Sequence, residues 1–124
     1  MIESIGVLIA VYIAFSAKHL LCDFFLQGDW MAKGKAEVHG WLRPLLTHSG
    51  IHAAGTLAIT LIAAPGLWWL ALVDLVVHSL VDRGKAVVSR GFAPSESRFW
   101  SALGVDQMLH QLTHFGFVLL IVTA

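Results

Sequence analysis

Six pairs drawn from histidine and aspartate stand four positions apart in this chain: His19/Asp23, His48/His52, Asp74/His78, His78/Asp82, Asp106/His110 and His110/His114. Side chains at this spacing share one face of a helix. Neutral imidazole and carboxylate together suit zinc, manganese or iron better than calcium, which prefers oxygen alone. A ligating histidine usually hands its second N–H to a carboxylate, so an HxxxD pair can serve both the ion and its surroundings. The expected metal ligands are His19, His48, His78, Asp82, Asp106 and His110, with Asp23 and Asp106 as the carboxylates of catalysis. Gln27, Lys33, His52 and Gln107 are expected around those ligands or against a substrate. The donors outnumber what one ion needs, so the expected cofactor is one or two divalent transition-metal ions. Asp74 is the weakest candidate and is free to pair with Lys18 or a histidine. His114 is read as structural, His39 as solvated in a loop, and Cys22 as packing.

Helices must position these groups, and the composition says in what solvent. The chain has 124 residues, of which 57% are hydrophobic and 13% charged. Its mean hydropathy is +0.76, whereas a soluble domain carries roughly 25% charged residues. Disorder is disfavoured. Eight Lys and Arg balance eight Asp and Glu, so no basic face for nucleic acid is expected. A single cysteine leaves no disulfide framework or CxxC metal knuckle. A membrane span needs about 20 largely apolar residues, and four stretches come close, over 5–26, 45–64, 67–82 and 101–123. The expected fold is a single domain (1–124), an all-α integral membrane bundle of four helices. Pro44 precedes the second span and Pro65-Gly66 turns between the second and third. The opening residues hold Glu3 and no Lys or Arg, which reads as a retained helix and not a signal peptide.

The loops orient this bundle. Lys33, Lys35 and Arg43 lie in or beside the first connection, and Arg83, Lys85, Arg90 and Arg98 in the third. The second connection and both tails hold no Lys or Arg. The positive-inside rule then puts both long connections in the cytoplasm and both termini outside, in a multi-pass protein of the cytoplasmic (inner) membrane. Trp68 and Trp69 would lie at the outer interface and Trp30, Trp41 and Trp100 at the inner one. Counted at about 1.5 Å per residue, His19, Asp23, His48, His52, His78, Asp106 and His110 all fall roughly 5–14 Å in from the inner edge. Four helices of alternating direction thus bring their polar groups to one layer. Gly50, Ala54 and Ala58, with Gly55 and Gly104, read as close-packing positions.

A metal at this depth would activate water toward an ester or phosphoester. The expected function is metal-dependent hydrolysis of a lipid headgroup or lipid-linked ester at the cytoplasmic leaflet, with membrane lipid as partner. The main alternative is a non-catalytic small membrane subunit or scaffold, in a homo-oligomer or larger membrane complex, whose polar layer only joins helices. Haem held axially by His52 and His110, or by His48 and His110, is a third reading, and an ion or proton pathway a fourth. No inverted repeat marks an alternating-access transporter.

The stretch at 19–35, HLLCDFFLQGDWMAKGK, resembles the opening signature of a small family of prokaryotic membrane proteins that carry a domain of unknown function. HSLVDRGK from His78 and DQMLHQLTH from Asp106 resemble its later elements. The resemblance implies a fold and a site but no reaction. RPLLTHSGIH (43–52) and HSLVD (78–82) are also similar to inner-membrane metal-dependent hydrolases described as LexA-binding, with Leu42 where those carry a histidine. That likeness implies that His48, His78 and Asp82 hold metal.

Overall fold

The computed structural model describes residues 2–124. Helix α1 covers Ile2–Leu20 and runs on through a π-helical turn, Leu21–Phe25. A short α2, Asp29–Gly34, interrupts the first connection. Helix α3 spans Leu42–Ala63. A 3₁₀ turn at Pro65–Leu67 leads into α4, Leu70–Val88, and α5 covers Ser97–Thr123. The described residues hold no strand. Four helical stretches, Glu3–Phe25, Leu42–Ala63, Pro65–Val88 and Ser97–Thr123, are long and apolar enough to cross a membrane.

Several boundaries differ from those expected. Helix α3 starts at Leu42, which puts Pro44 inside its first turn. There the first N–H groups have no helical partner, so proline removes nothing. Helix α4 continues past Asp82 to Val88, and α5 begins at Ser97, ahead of Ser101. The charged residues that suggested an earlier end, Arg83 and Lys85, sit on the last turns of α4.

The four long helices pack as a bundle whose two ends differ in chemistry. At the end that carries the Pro65–Leu67 turn, Val11, Phe15, Leu70, Phe117, Val118 and Ile121 form a dry core. At the other end the interior is polar: His19, His48, His52, His78, Asp82, Asp106 and His110 are all buried. Outward-facing Ile13, Phe24, Phe25, Ile62, Val76, Leu80 and Leu112 are exposed, the inverse of a soluble bundle and the pattern of one solvated by lipid.

Two glycines allow close approach. A Cβ on Gly34 of α2 would stand 2.6 Å from Pro44 Cγ, so α2 can lie against the start of α3 only with glycine there. A Cβ on Gly55 would stand 2.6 Å from Lys18 Cγ, and the bare backbone of α3 lets the Lys18 side chain pass inward. Gly50 and Gly104 do not have the close-packing role expected of them, since a Cβ at either would meet no atom within 4 Å.

Candidate metal centre

Each long helix supplies part of one cluster. The π-helical turn, closed by Leu26 N–H donating to Leu21 O at 2.8 Å, carries Asp23. Such a turn inserts one extra residue and re-aims the side chains around it. Gln27 ties it down, its Nε2 donating to Asp23 O at 3.0 Å. The Asp23 carboxylate bridges three rings: Oδ1 lies 2.8 Å from His52 Nε2 and 3.3 Å from His48 Nε2, and Oδ2 lies 3.1 Å from His19 Nε2.

From α4, Asp82 reaches the same centre. Its Oδ1 is 3.0 Å from His110 Nε2 and 3.6 Å from His78 Nε2, and its Oδ2 is 3.5 Å from His48 Nε2. His48 and His78 face each other through Nε2 at 3.3 Å. The rings of His52 and His110 stack on opposite sides of His78, with centroids 3.8 and 4.1 Å away. His78 therefore fills the space between His52 and His110 that a haem held axially by that pair would need.

His48 Nε2 thus meets Asp23, Asp82 and His78, from two other helices, at 3.3 to 3.5 Å. One imidazole nitrogen offers a single N–H or a single lone pair, so hydrogen bonding cannot satisfy all three. Convergence on one point is what a cation requires. With Zn–N bonds of about 2.0–2.1 Å, the donor atoms of a tetrahedral site stand roughly 3.3–3.4 Å apart. The Nδ1 atoms of His48, His52 and His78 are buried without a protein partner, so these rings direct their polar contacts inward. The donors fall into two groups close enough to hold an ion: Asp23, His48, His52 and His78, and then His78, Asp82 and His110. His78 belongs to both. The residues present fit a transition-metal ion.

The other expected site residues lie around this centre. His19 stands outside both groups, between Asp23 and Gln107, whose Oε1 is 3.0 Å from His19 Nε2. Asp106 is also outside them. Its Oδ2 accepts from Gln107 Nε2 at 3.1 Å and forms an ion pair with Lys85 Nζ at 3.2 Å, while its buried Oδ1 has no hydrogen-bond partner and lies 3.4 Å from His110 Nε2. His52, expected beside the ligands, is inside the first group. Lys33 is far from the cluster in character: its ammonium is exposed and pairs with Asp29 at 3.0 Å on α2.

One contact was missed in the sequence, and one pairing open to Asp74 there, with Lys18, is found. Lys35, from the connection after α2, donates to Asp82 Oδ2 at 2.6 Å. It is held there because Arg83 Nη1 donates to the carbonyls of Lys35 and Glu37 at 3.2 and 3.0 Å, with its guanidinium over the Trp41 ring. Deeper in the bundle Lys18 is fully surrounded: Asp74 Oδ2 at 2.8 Å, Thr56 Oγ1 at 3.1 Å, His52 O at 3.3 Å and His114 Nε2 at 3.2 Å. Thr56 also donates to Asp74 Oδ2, at 2.5 Å.

Fold and site together define a helical bundle of membrane-span character with a buried His/Asp cluster able to hold metal. The chain belongs to a family of proteins of unknown function, DUF3307, whose model matches residues 8–124. No curated protein and no solved structure matches it. The likeness to LexA-binding hydrolases therefore rests on the short stretches quoted above.

Proposed function

We propose that this protein is a metal-dependent hydrolase of a prokaryotic cytoplasmic membrane, acting on an ester or phosphoester at the inner leaflet. The observation that carries the reading is the convergence of His48, His78, Asp23 and Asp82 on one point from three helices. His48, His52, His78, Asp23, Asp82 and His110 would hold the ion. When bound, it would lower the pKa of water and polarise the ester oxygen.

The chain supplies the proton handling. Asp106 Oδ1 is buried, free of hydrogen bonds and next to His110, which suits a general base. Water adds to the ester phosphorus or carbonyl carbon, and the bond to the leaving oxygen breaks. Asp106 takes the proton that water gives up and returns it to the leaving oxygen. Lys85 and Gln107 hold Asp106 Oδ2 and so fix which oxygen faces inward. The inner-leaflet assignment is supported by loop charge, since Lys35, Arg83, Lys85, Arg90 and Arg98 all belong to the polar end.

A second reading has its own support. Lys18, Lys35 and Lys85 already pair with Asp74, Asp82 and Asp106, so the layer can join helices without an ion. One measurement separates the two. Elemental analysis of protein purified in detergent is expected to return one or two transition-metal ions per chain. A well-folded protein that binds none after incubation with zinc, manganese or iron would leave only the scaffold. The dry core of Phe15, Phe117 and Val118 gives no support to conduction through a single bundle.

A further inference from the structure

The two acidic ends of the cluster open onto two different hollows, and Lys85 lines both. The first is a groove of about 580 Å³ between α4 and α5. Its walls are apolar, with Leu80 and Leu109 toward the bundle middle and Val88 and Phe92 toward the loop end. Asp106 and Lys85 lie along it, and Arg98 stands at its loop end with its guanidinium over the Phe92 ring. The second is a cleft of about 290 Å³ that reaches Asp82 and is bordered by Lys35, Lys85 and Arg90. Lys35 and Lys85 there pair with Asp82 and Asp106, and Arg90 adds a further cation, so the cleft border carries an excess of positive charge.

The geometry points to a lipid-phosphate site: one hydrocarbon chain lies in the α4–α5 groove, and its phosphate is held at Lys85 beside the polar cleft. Three observations argue for this occupant. The groove lies on two helices apolar and long enough to span a membrane. Its apolar walls begin at Leu80 and Leu109 in the bundle middle, and its cations, Lys85 and Arg98, lie on the loop side of that pair, the order of chain and headgroup in one leaflet. Gly84 lines the groove and a Cβ there would meet no atom within 4 Å, so the space over this position is open to a chain. The inference deepens the hydrolase reading and rests on it for what happens to the bound lipid, but binding itself can be tested without turnover.

The full chain is placed in phosphatidylcholine nanodiscs with a trace of phosphatidic acid bearing a photoactivatable group on its acyl chain. Labelling is expected on α4 and α5 within 80–88 and 101–109. Excess unlabelled phosphatidic acid should abolish it, and inorganic phosphate should not. Gly84→Phe fills open space and should cut labelling strongly while leaving metal content unchanged. Lys85→Gln should weaken competition by phosphatidic acid about tenfold, the loss expected for one charge-assisted hydrogen bond. Labelling spread over all four helices, or indifferent to Gly84→Phe, would overturn the site. Equal competition by inorganic phosphate would overturn the lipid claim. Absence of labelling in a wild-type protein that retains its metal sinks this inference alone. Labelling without metal in the wild type sinks the hydrolase reading and leaves the lipid site standing.

Discussion

The Nε2 atoms of His48 and His78, on neighbouring helices, face each other at 3.3 Å. Two neutral imidazoles can share at most one proton across such a gap, yet both nitrogens also have Asp82 oxygens at 3.5 and 3.6 Å. Replacing either ring with alanine should therefore abolish metal binding while the bundle still elutes as a folded species. Cobalt(II) loading of the wild type should give the intense visible bands of a low-coordinate N/O site. Unchanged bands in His78→Ala would show that the ion lies elsewhere.

Asp106 should separate binding from chemistry. It lies outside both ligand groups, with Oδ1 unpartnered. Asp106→Asn keeps the shape and the contact with Gln107 but cannot accept a proton. Metal content should stay at the wild-type level, and hydrolysis of a lipid phosphoester should fall about 10²-fold or more. Equal activity in the variant would remove Asp106 from the proton path.

The Lys18–Asp74 pair at 2.8 Å is buried on both sides. Removing one partner leaves an uncompensated charge, at a cost of about 3–5 kcal/mol. Lys18→Met and Asp74→Leu should each lower the thermal midpoint in detergent by a large margin. The double variant Lys18→Met/Asp74→Leu should recover much of the loss. Additive effects of the two changes would mean that the groups do not depend on each other.

Gly55 and Gly104 offer a matched contrast on two helices. A methyl group at Gly55 would press on Lys18 Cγ, and Lys18 cannot yield because four partners hold its ammonium. Gly55→Ala should destabilise by about 1–3 kcal/mol, the usual cost of overpacking. Gly104→Ala enters open space and should be neutral or gain up to about 1 kcal/mol from reduced backbone freedom. Thermal unfolding of the two variants side by side decides the matter.

Arg83 holds the connection after α2 through two carbonyls, and Lys35 reaches Asp82 from that connection. Arg83→Ala should free it. Amide exchange over 35–40 should then accelerate relative to the bundle helices, and exchange at the wild-type rate would assign the restraint to the Gly34–Pro44 contact instead.

The four spans and the shared polar layer were legible because helical period and hydropathy act locally: each i, i+4 pair states its face, and each apolar run states its length. The ends of the spans were less so. Asp82, Arg83 and Lys85 look like a helix terminus in a sequence, but α4 carries them as its last turns, since charges at a membrane edge do not stop a helix. The π-helical turn at Leu21–Phe25 has no compositional mark, because any residue can occupy it. Its effect, which brings Asp23 onto His48 and His52, could not be counted from spacing. Lys35 and Lys85 were legible as loop cations, but which carboxylate each would meet depends on packing between distant segments.

The buried ammonium of Lys18 also bears on how the chain enters a membrane. Its counter-charge, Asp74, lies two long helices later, beyond the Pro65–Leu67 turn. The first hydrophobic segment therefore emerges with a cation whose folded-state partner is not yet made, and an unpaired ammonium is costly at such depth. Lys18 gains that partner only when α4 joins α1 in the bundle, so the first three long helices are expected to settle as a group and not one by one.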